Sequence, residues 1–246
     1  MKFNIDSKVI CNALDDIQGK GKYGVSNSSL DDCVYLTLEG NNLELWNADS
    51  TLSLTIDLEV SGEEDGDFVM NAKILTTFLK KFSGNATFVG EDTLTVTCNS
   101  QVVVLPRIIA HSNINAITRI KGMLEHVFYE EEPQTLFMFG PSRFESAFTI
   151  HSEDFKKTIG LCELIKSGVY RLDSNEEVKI SSQTSASNKY METMTTTNKI
   201  GEEATVEWSG PLHKFFDGKI NFYIKDEFPL LLVGTDRKLI RAPHVS

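Results

Sequence analysis

Side chains capable of catalysis are scattered through this sequence. Its five histidines stand far apart, and none lies at metal-ligand spacing from a cysteine. The sequence contains no phosphate-cradling glycine loop, no G-x-S-x-G nucleophile motif and no H-E-x-x-H zinc motif. A catalytic site can be assembled from distant residues, so an enzyme stays open as an alternative. The pattern favours a binding protein that is not an enzyme and that uses neither a cofactor nor a metal.

Two acidic groups and four cysteines are the remaining candidates for metal or redox chemistry. Asp15-Asp16 falls on the polar side of a predicted helix and Glu63–Asp65 falls in a predicted loop, where solvated charge is the commoner explanation. The cysteines contain no C-x-x-C pair, which favours free thiols in a reducing compartment; they are Cys11, Cys33, Cys98 and Cys162.

The placement of lysine is more informative than the net charge of −11, which excludes a uniformly basic nucleic-acid binder. Four predicted helical segments contain eleven lysines and six acidic residues, a net charge of +5, and the rest of the chain therefore has a net charge of −16. The segments are 7–22, 71–84, 152–166 and 209–219. Lysines that merely solvate exposed helix faces would explain part of this contrast. If the helices share one side, that side is a cationic wall that would hold phosphates weakly, without sequence preference and with salt-sensitive affinity.

Two short sequence words recur in the same order and predict a duplicated domain. Phe3–Ser7 is matched 145 residues later by Phe148–Ser152, and Lys80–Gly84 is matched 134 residues later by Lys214–Gly218. The serine that ends each word of the first pair is placed to cap a helix N-terminus, and the glycine that ends each word of the second pair is placed just after a helix. Chance matching of short apolar words is the alternative, and the shared order of elements makes it the weaker one.

Between the helices, apolar residues at alternate positions predict strands. The expected fold class is α+β, with two repeated domains that each contain an antiparallel sheet and two helices. We expect domain 1 over residues 1–107, a connector over 108–145 in which the pattern lapses, and domain 2 over 146–246. Gly62–Gly66 and Asp173–Asn175 are predicted loops or turns.

Three parts of the chain carry a family resemblance. Met1–Asp16 is similar to the first strand and helix of a DNA sliding clamp, and Leu43–Leu54 is similar to the strand–turn–strand that follows the clamp's first hairpin. The tail, Phe228–Leu232 followed by Leu239–Val245, resembles the closing strands of two-domain clamps, the proliferating cell nuclear antigen (PCNA) and its archaeal and viral relatives. A longer connector, the acidic Asp15-Asp16 and a neutral third helix depart from the family pattern, and such divergence suits a phage or other viral clamp.

The resemblance implies a DNA clamp fold that assembles as a homotrimeric ring around double-stranded DNA, with helices lining the hole and sheets outside. Such a ring tethers a DNA polymerase as a processivity factor in DNA replication and needs a clamp loader. Its place is intracellular, at the replication fork, in the cytoplasm of a bacterial host for a phage protein, with the nucleus left open. The implied DNA-binding residues are Lys8, Lys73, Lys80, Lys81, Lys156, Lys157 and Lys214.

Two further surfaces follow from the resemblance. A partner-peptide groove beneath the connector would be lined by Ala48, Leu52, Pro229, Ile240, Ala242 and Pro243. A subunit interface would pair a strand of one subunit with a strand of the next and would use Val102, Val103, Val104, Leu105, Tyr190, Met191 and Met194.

Three other functions are alternatives to the ring. A monomeric polymerase accessory protein of the same fold would show the native mass of one chain, and a small-molecule enzyme would need a pocket with converging polar groups. A capsid or structural protein would make the helical lysines incidental. No apolar run approaches the roughly 20 residues of a membrane span, and Met1–Asp6 predicts a strand rather than the apolar core of a signal peptide, so we expect neither a membrane protein nor a secreted one.

Overall fold

The structure is a computed structural model that describes residues 1–19, 32–124 and 138–244. Its contacts divide the chain into two compact units, Met1–Thr118 and Arg119–Ser246. Both units are built mainly from antiparallel strands, with a few helices, in keeping with the predicted α+β class.

Unit 1 contains nine strands and two helices among its described residues. They are β1 (Lys2–Asp6), α1 (Ser7–Ile17), β2 (Cys33–Glu39), β3 (Asn42–Ala48), β4 (Leu52–Glu59), β5 (Ser61–Glu64), β6 (Gly66–Asn71), α2 (Ala72–Leu79), β7 (Asn85–Gly90), β8 (Thr93–Cys98) and β9 (Gln101–Pro106). One sheet has the order β5-β1-β7-β8-β9, and a second run of strands has the order β4-β3-β2-β6. Helix α1 packs on strands of both, through a stripe that buries Ile10, Leu14 and Ile17.

A third helix, α3 (Ser112–Leu124), contains the boundary between the units. Unit 2 continues with β10 (Met138–Phe139), β11 (Ser142–Arg143), β12 (Ser146–His151), α4 (Ser152–Glu163), β13 (Val169–Ser174), β14 (Val178–Gln183), β15 (Lys189–Thr193), β16 (Thr197–Gly201), β17 (Ala204–Ser209), β18 (Lys219–Ile224), β19 (Leu230–Val233) and β20 (Arg237–Arg241). Here the strands run in the orders β16-β12-β18-β19-β20 and β15-β14-β13-β17, with β10 and β11 as a separate pair.

The repeated sequence words occupy equivalent places in the two units, so the predicted duplication is confirmed. Phe3 pairs with Phe88 across β1 and β7, and their rings stack with centroids 4.7 Å apart. Phe148 pairs with Phe222 across β12 and β18 in the same way, at 5.3 Å. In both units the serine that opens the helix donates its backbone N–H to the glycine of the second word, over 3.0 Å to Gly84 in unit 1 and 2.7 Å to Gly218 in unit 2.

The helix ends differ from the sequence prediction. Asp6 and His151, one residue earlier than the predicted serines, provide the side chains that cap α1 and α4. The serine hydroxyls are instead buried and have no hydrogen-bond partner in the part of the chain that the structure describes. Because the serines sit at the first helical position, their side chains turn into the core.

The prediction of two helices in each domain holds only for unit 1. In unit 2 the predicted segment 209–219 contains a 3-10 turn of three residues, His213–Phe215. The turn ends at Phe216, whose backbone is extended with φ −128° and ψ 147°, and both Phe215 and Phe216 are buried. The predicted loop at Gly62–Gly66 instead includes most of β5.

The connector is more ordered than its sequence pattern indicated. Its described part contains α3, with Ile117 fully buried, and the short strands β10 and β11. The apolar run Leu136–Phe139 contributes β10 through its last two residues, and its first two lie outside the described ranges. No described helix has both the length and the apolar character needed to cross a bilayer.

Candidate nucleic-acid interface and partner surfaces

The candidate DNA-binding lysines all lie on or directly after a helix or the 3-10 turn. Lys8 and Lys73 are in the first turns of α1 and α2, Lys80 and Lys81 follow the end of α2, Lys156 and Lys157 are in α4, and Lys214 is in the turn. Five of the seven are exposed, and the other two, Lys156 and Lys214, are half-buried. Each unit therefore presents lysines from its helical elements.

Four of these lysines are already paired with an acid of the same chain. Lys80 lies 2.9 Å from Asp15, and Lys156 lies 2.9 Å from Asp217. The hydrogen bonds that these amines donate to the carboxylates raise the pKa of both lysines, with the bond to Asp15 the largest cause for Lys80 and the bond to Asp217 the largest for Lys156. Two longer pairs join Lys73 to Asp32 at 3.8 Å and Lys157 to Glu192 at 3.2 Å.

The free lysines are therefore fewer than the sequence indicated. Lys8, Lys81 and Lys214 form no ion pair with any residue that the structure describes. Within the observed bounds of α1, α2, α4 and the 3-10 turn, the number of lysines equals the number of acidic residues, five of each. The excess of lysine found in the longer predicted segments therefore comes from the residues that follow the helices. Because paired lysines must break an ion pair to bind phosphate, the free ones are the stronger candidates for contact with a polyanion.

Apolar side chains share this helical surface. Val9 of α1 and Ile74 and Phe78 of α2 are nearly half exposed. Their helices bury neighbouring positions instead, such as Ile10 and Leu75, because the buried stripe of each helix is narrower than its run of apolar residues.

The two strands predicted to join subunits both stand at the end of a sheet. β9 has one neighbour, β8, and β15 has one neighbour, β14, among the described residues. Both strands expose apolar side chains: Val102 and Val104 of β9 are 61% and 55% exposed, and Met191 of β15 is 52% exposed between the exposed Lys189 and Thr193. A strand edge with open backbone groups and exposed apolar side chains is a surface on which another strand can pair.

The other predicted interface residues have different surroundings. Val103 and Leu105 point into unit 1 and are buried. Met194 follows β15 and is also buried, with its N–H bonded to Val178, and the Tyr190 hydroxyl donates to Glu192. These four side chains therefore pack behind the strand edges rather than on their exposed faces. Side chains alternate between the two faces of β9, so only every second residue of that strand is exposed.

An apolar row crosses five strands of unit 2 and contains Ile240. The register sets Ile200, Ala147, Tyr223, Leu231 and Ile240 side by side on β16, β12, β18, β19 and β20. Extending the last ladder by one pair, beyond Leu230 and Arg241, sets Pro229 opposite Ala242 on the same face as Leu231 and Ile240.

Further apolar side chains pack around this row. Phe144 lies in the same cluster, with its ring edge against Phe228 at 5.6 Å. Ile120 and Met123 of the connector helix pack on the cluster as well. The connector therefore covers part of the apolar face on which the resemblance placed a peptide groove.

The predicted groove residues differ in how much surface they offer. Pro229, Ala242 and Pro243 are half-buried and lie at the end of the row. Ile240 is 8% exposed, and Ala48 and Leu52 of unit 1 are 0% and 5% exposed, so these three have little side-chain surface for a partner. The peptide groove stays a prediction, centred on the three half-buried residues of unit 2.

Nothing in the described residues assembles a catalytic centre. No cluster of three or more metal-ligating side chains occurs there. A polar concavity on the sheet of unit 2 is lined by Arg171, Asp173 and Glu207, but the Arg171 guanidinium already donates to both carboxylates. These three side chains bind one another and do not point together into an open space that a substrate could occupy.

Known structures with the same fold are DNA sliding clamps. The DNA polymerase III beta subunit of Thermotoga maritima matches with a TM-score of 0.76 at 13% identity, over 100% of this chain and 66% of that one. The PCNA of A. fulgidus, solved with the C-terminal region of FEN-1 bound, matches with a TM-score of 0.69 at 14% identity, over 100% of this chain and 98% of that one. The PCNA of Thermococcus kodakaraensis gives 0.65 at 13% identity, over 99% of both chains.

These matches establish that the chain has the DNA clamp fold, as the resemblance implied. This chain spans about two thirds of the T. maritima beta subunit and nearly the full length of the two PCNA chains. None of the three is a viral protein, so the predicted viral source gains no support. No family model and no curated protein matches the sequence.

Proposed function

We propose that three copies of this chain close into a ring around duplex DNA and that the ring tethers a DNA polymerase as a processivity factor. The observation that carries the proposal is the combination of the clamp fold with two strand edges, β9 in unit 1 and β15 in unit 2, that have no second neighbour among the described residues and that expose Val102, Val104 and Met191. Pairing one edge with the other is a head-to-tail contact, which must close into a ring or grow into a filament.

The mechanism is topological and involves no catalytic step. Lysines on the helical elements meet phosphates weakly, so the ring slides while it stays on the DNA. Partners are double-stranded DNA without sequence preference, a clamp loader that opens the ring, and a polymerase that docks near Pro229 and Ala242. The A. fulgidus PCNA was solved with a partner's C-terminal region bound, which supports docking of a short segment. The protein works inside the cell, at the replication fork.

Primer extension on circular DNA tests this function. With a cognate polymerase and clamp loader, the protein should convert short products into full-length circles, and linear DNA with free ends should not retain it. Sedimentation equilibrium should give a native mass three times the 27.5 kDa of one chain. A single-chain mass with normal stimulation would instead identify a monomeric accessory protein of the same fold.

Replacing Lys8, Lys81 and Lys214 together with alanine should weaken retention on circular DNA several-fold. These lysines lack ion pairs with described residues, so each is free to neutralise a phosphate. The slope of log affinity against log salt should become shallower by about one for each phosphate that is no longer neutralised. Retention on circular DNA is measured from about 50 to about 300 mM salt, where binding to phosphates weakens steeply, and these measurements give the slope.

The charge-matched comparison replaces three lysines that lie on strands or just after one, Lys179, Lys199 and Lys225. Two of them have acidic partners, Glu177 for Lys179 and Glu145 for Lys225. This triple variant changes the net charge by the same amount, so an equal effect of the two triple variants would argue against a lysine-lined hole. Lys80→Ala alone should have a smaller effect than Lys81→Ala, since Asp15 already neutralises Lys80.

A further inference from the structure

Glu192 lies on β15 but points away from the exposed face of that strand. The ladder sets it opposite Ile180, which is fully buried, whereas the adjacent Met191 is opposite Ser181 and half exposed. Side chains alternate along a strand, so Tyr190 and Glu192 share the face that meets α4, and β15 and α4 are in contact. The residue therefore stands between the strand edge and the helix behind it.

Three donors converge on the Glu192 carboxylate. The Tyr190 hydroxyl and the Thr158 Oγ1 both donate to Oε2, over 2.7 and 2.9 Å. The Lys157 Nζ donates to Oε1 over 3.2 Å. These bonds, the Tyr190 bond foremost, lower the pKa of Glu192, which is therefore ionised at neutral pH.

Two of the donors belong to α4, so the carboxylate joins the helix to the strand. Thr158 is 1% exposed, and Glu192 is the acceptor of its hydroxyl. Removal of that acceptor would leave a buried hydroxyl without a partner, which is costly. Among the described residues β15 has β14 as its one strand neighbour, so its attachment to α4 is a second support beside the β14 ladder.

We propose that Glu192 is a positioning residue that holds β15 on α4 in the form needed to pair with β9 of a second copy of this chain. The inference rests on the proposed ring. Because Thr158 of α4 donates to Oε2 and Lys157 to Oε1, the Thr158 bond keeps β15 attached to α4 without the help of Lys157, and the Tyr190 bond, within β15, fixes the same oxygen. A DNA phosphate can therefore recruit Lys157 without loosening the subunit contact.

Substitutions at Glu192 separate this role from a general loss of charge. Glu192→Leu removes every acceptor and should raise the dissociation constant of the ring about tenfold or more, as an unsatisfied buried hydroxyl and a loosened strand require. Glu192→Gln keeps one amide oxygen that can accept from both hydroxyls, so it should stay within about threefold of the wild type. Lys157→Ala should leave ring dissociation unchanged.

The matched control is Glu207→Leu, the same substitution on β17 at the opposite end of the same sheet, where the carboxylate pairs with Arg171 at 3.3 Å. It should not change ring dissociation. Sedimentation equilibrium over a concentration series gives the constants, and far-UV circular dichroism checks folding. If Glu192→Leu does not fold, Thr158→Val removes one donor at nearly constant volume and should weaken the ring in the same direction.

The outcomes distinguish this inference from the proposed function. Suppose that the wild-type protein forms a ring. If Glu192→Leu then has the wild-type dissociation constant, or if Glu192→Gln dissociates as readily as Glu192→Leu, the positioning role is overturned and the ring stands. With Thr158→Val as the test, normal association overturns it equally. A wild-type protein that is monomeric at micromolar concentration overturns the ring, and this role with it.

Discussion

Replacing Val104 with lysine should turn the ring into separate, folded subunits that no longer support processive synthesis. Val104 is 55% exposed on the edge strand β9, so a lysine there is solvated in the single subunit. In the ring, the variant loses the burial of a valine side chain and must also remove water from an unpaired ammonium group. The two effects together should lower the affinity of each subunit contact by about 100-fold or more. Sedimentation equilibrium should give the mass of one chain, and primer extension should fall to the level without the protein.

Ile74→Lys is the matched control for this prediction. Ile74 is 46% exposed, comparable to Val104, but it lies on helix α2 rather than at a strand edge. It should leave the native mass unchanged. Val103→Pro is a less specific test, because Val103 is buried and its replacement also disturbs the interior of unit 1. A Val104→Lys protein that keeps the wild-type mass would refute the role of β9 in assembly.

Replacing Ala242 with aspartate should abolish stimulation of the polymerase while the ring stays closed. Ala242 is half-buried and shares a sheet face with the apolar row that contains Leu231 and Ile240. A carboxylate there is hydrated until an apolar partner segment covers it. Its desolvation then costs several kcal/mol, or about 100-fold or more in affinity. Surface plasmon resonance with the polymerase, beside primer extension, measures both effects.

Thr235→Asp controls for added charge in the same hairpin, because Thr235 is exposed between β19 and β20. It should bind polymerase as the wild type does. Ile240→Asp is less informative, since Ile240 is 8% exposed within the cluster and its change would damage the fold. Normal binding by Ala242→Asp would move the docking surface elsewhere on the molecule.

The α+β class, the duplication and most of the strands could be predicted from the sequence, because each depends on local patterns. Alternating apolar residues along β2 or β8 reflect one buried face, and burial follows the alternation in the structure. The repeated words mark the stacked phenylalanine pairs and the serine–glycine hydrogen bonds, which need the same residue types in both units. The connector helix was missed because its apolar stripe is weak and interrupted by polar residues.

Only the tertiary structure decided which charged and edge residues are available. Lys80 and Asp15 are 65 residues apart in sequence, and Lys157 and Glu192 are 35 apart, so no local pattern reveals that they pair. The exposed positions of β9 and β15 follow from their places at sheet ends, which depend on the order in which distant strands assemble. Periodicity determines which face of an element is buried, whereas its neighbours in the fold determine which of its polar groups and edges stay free.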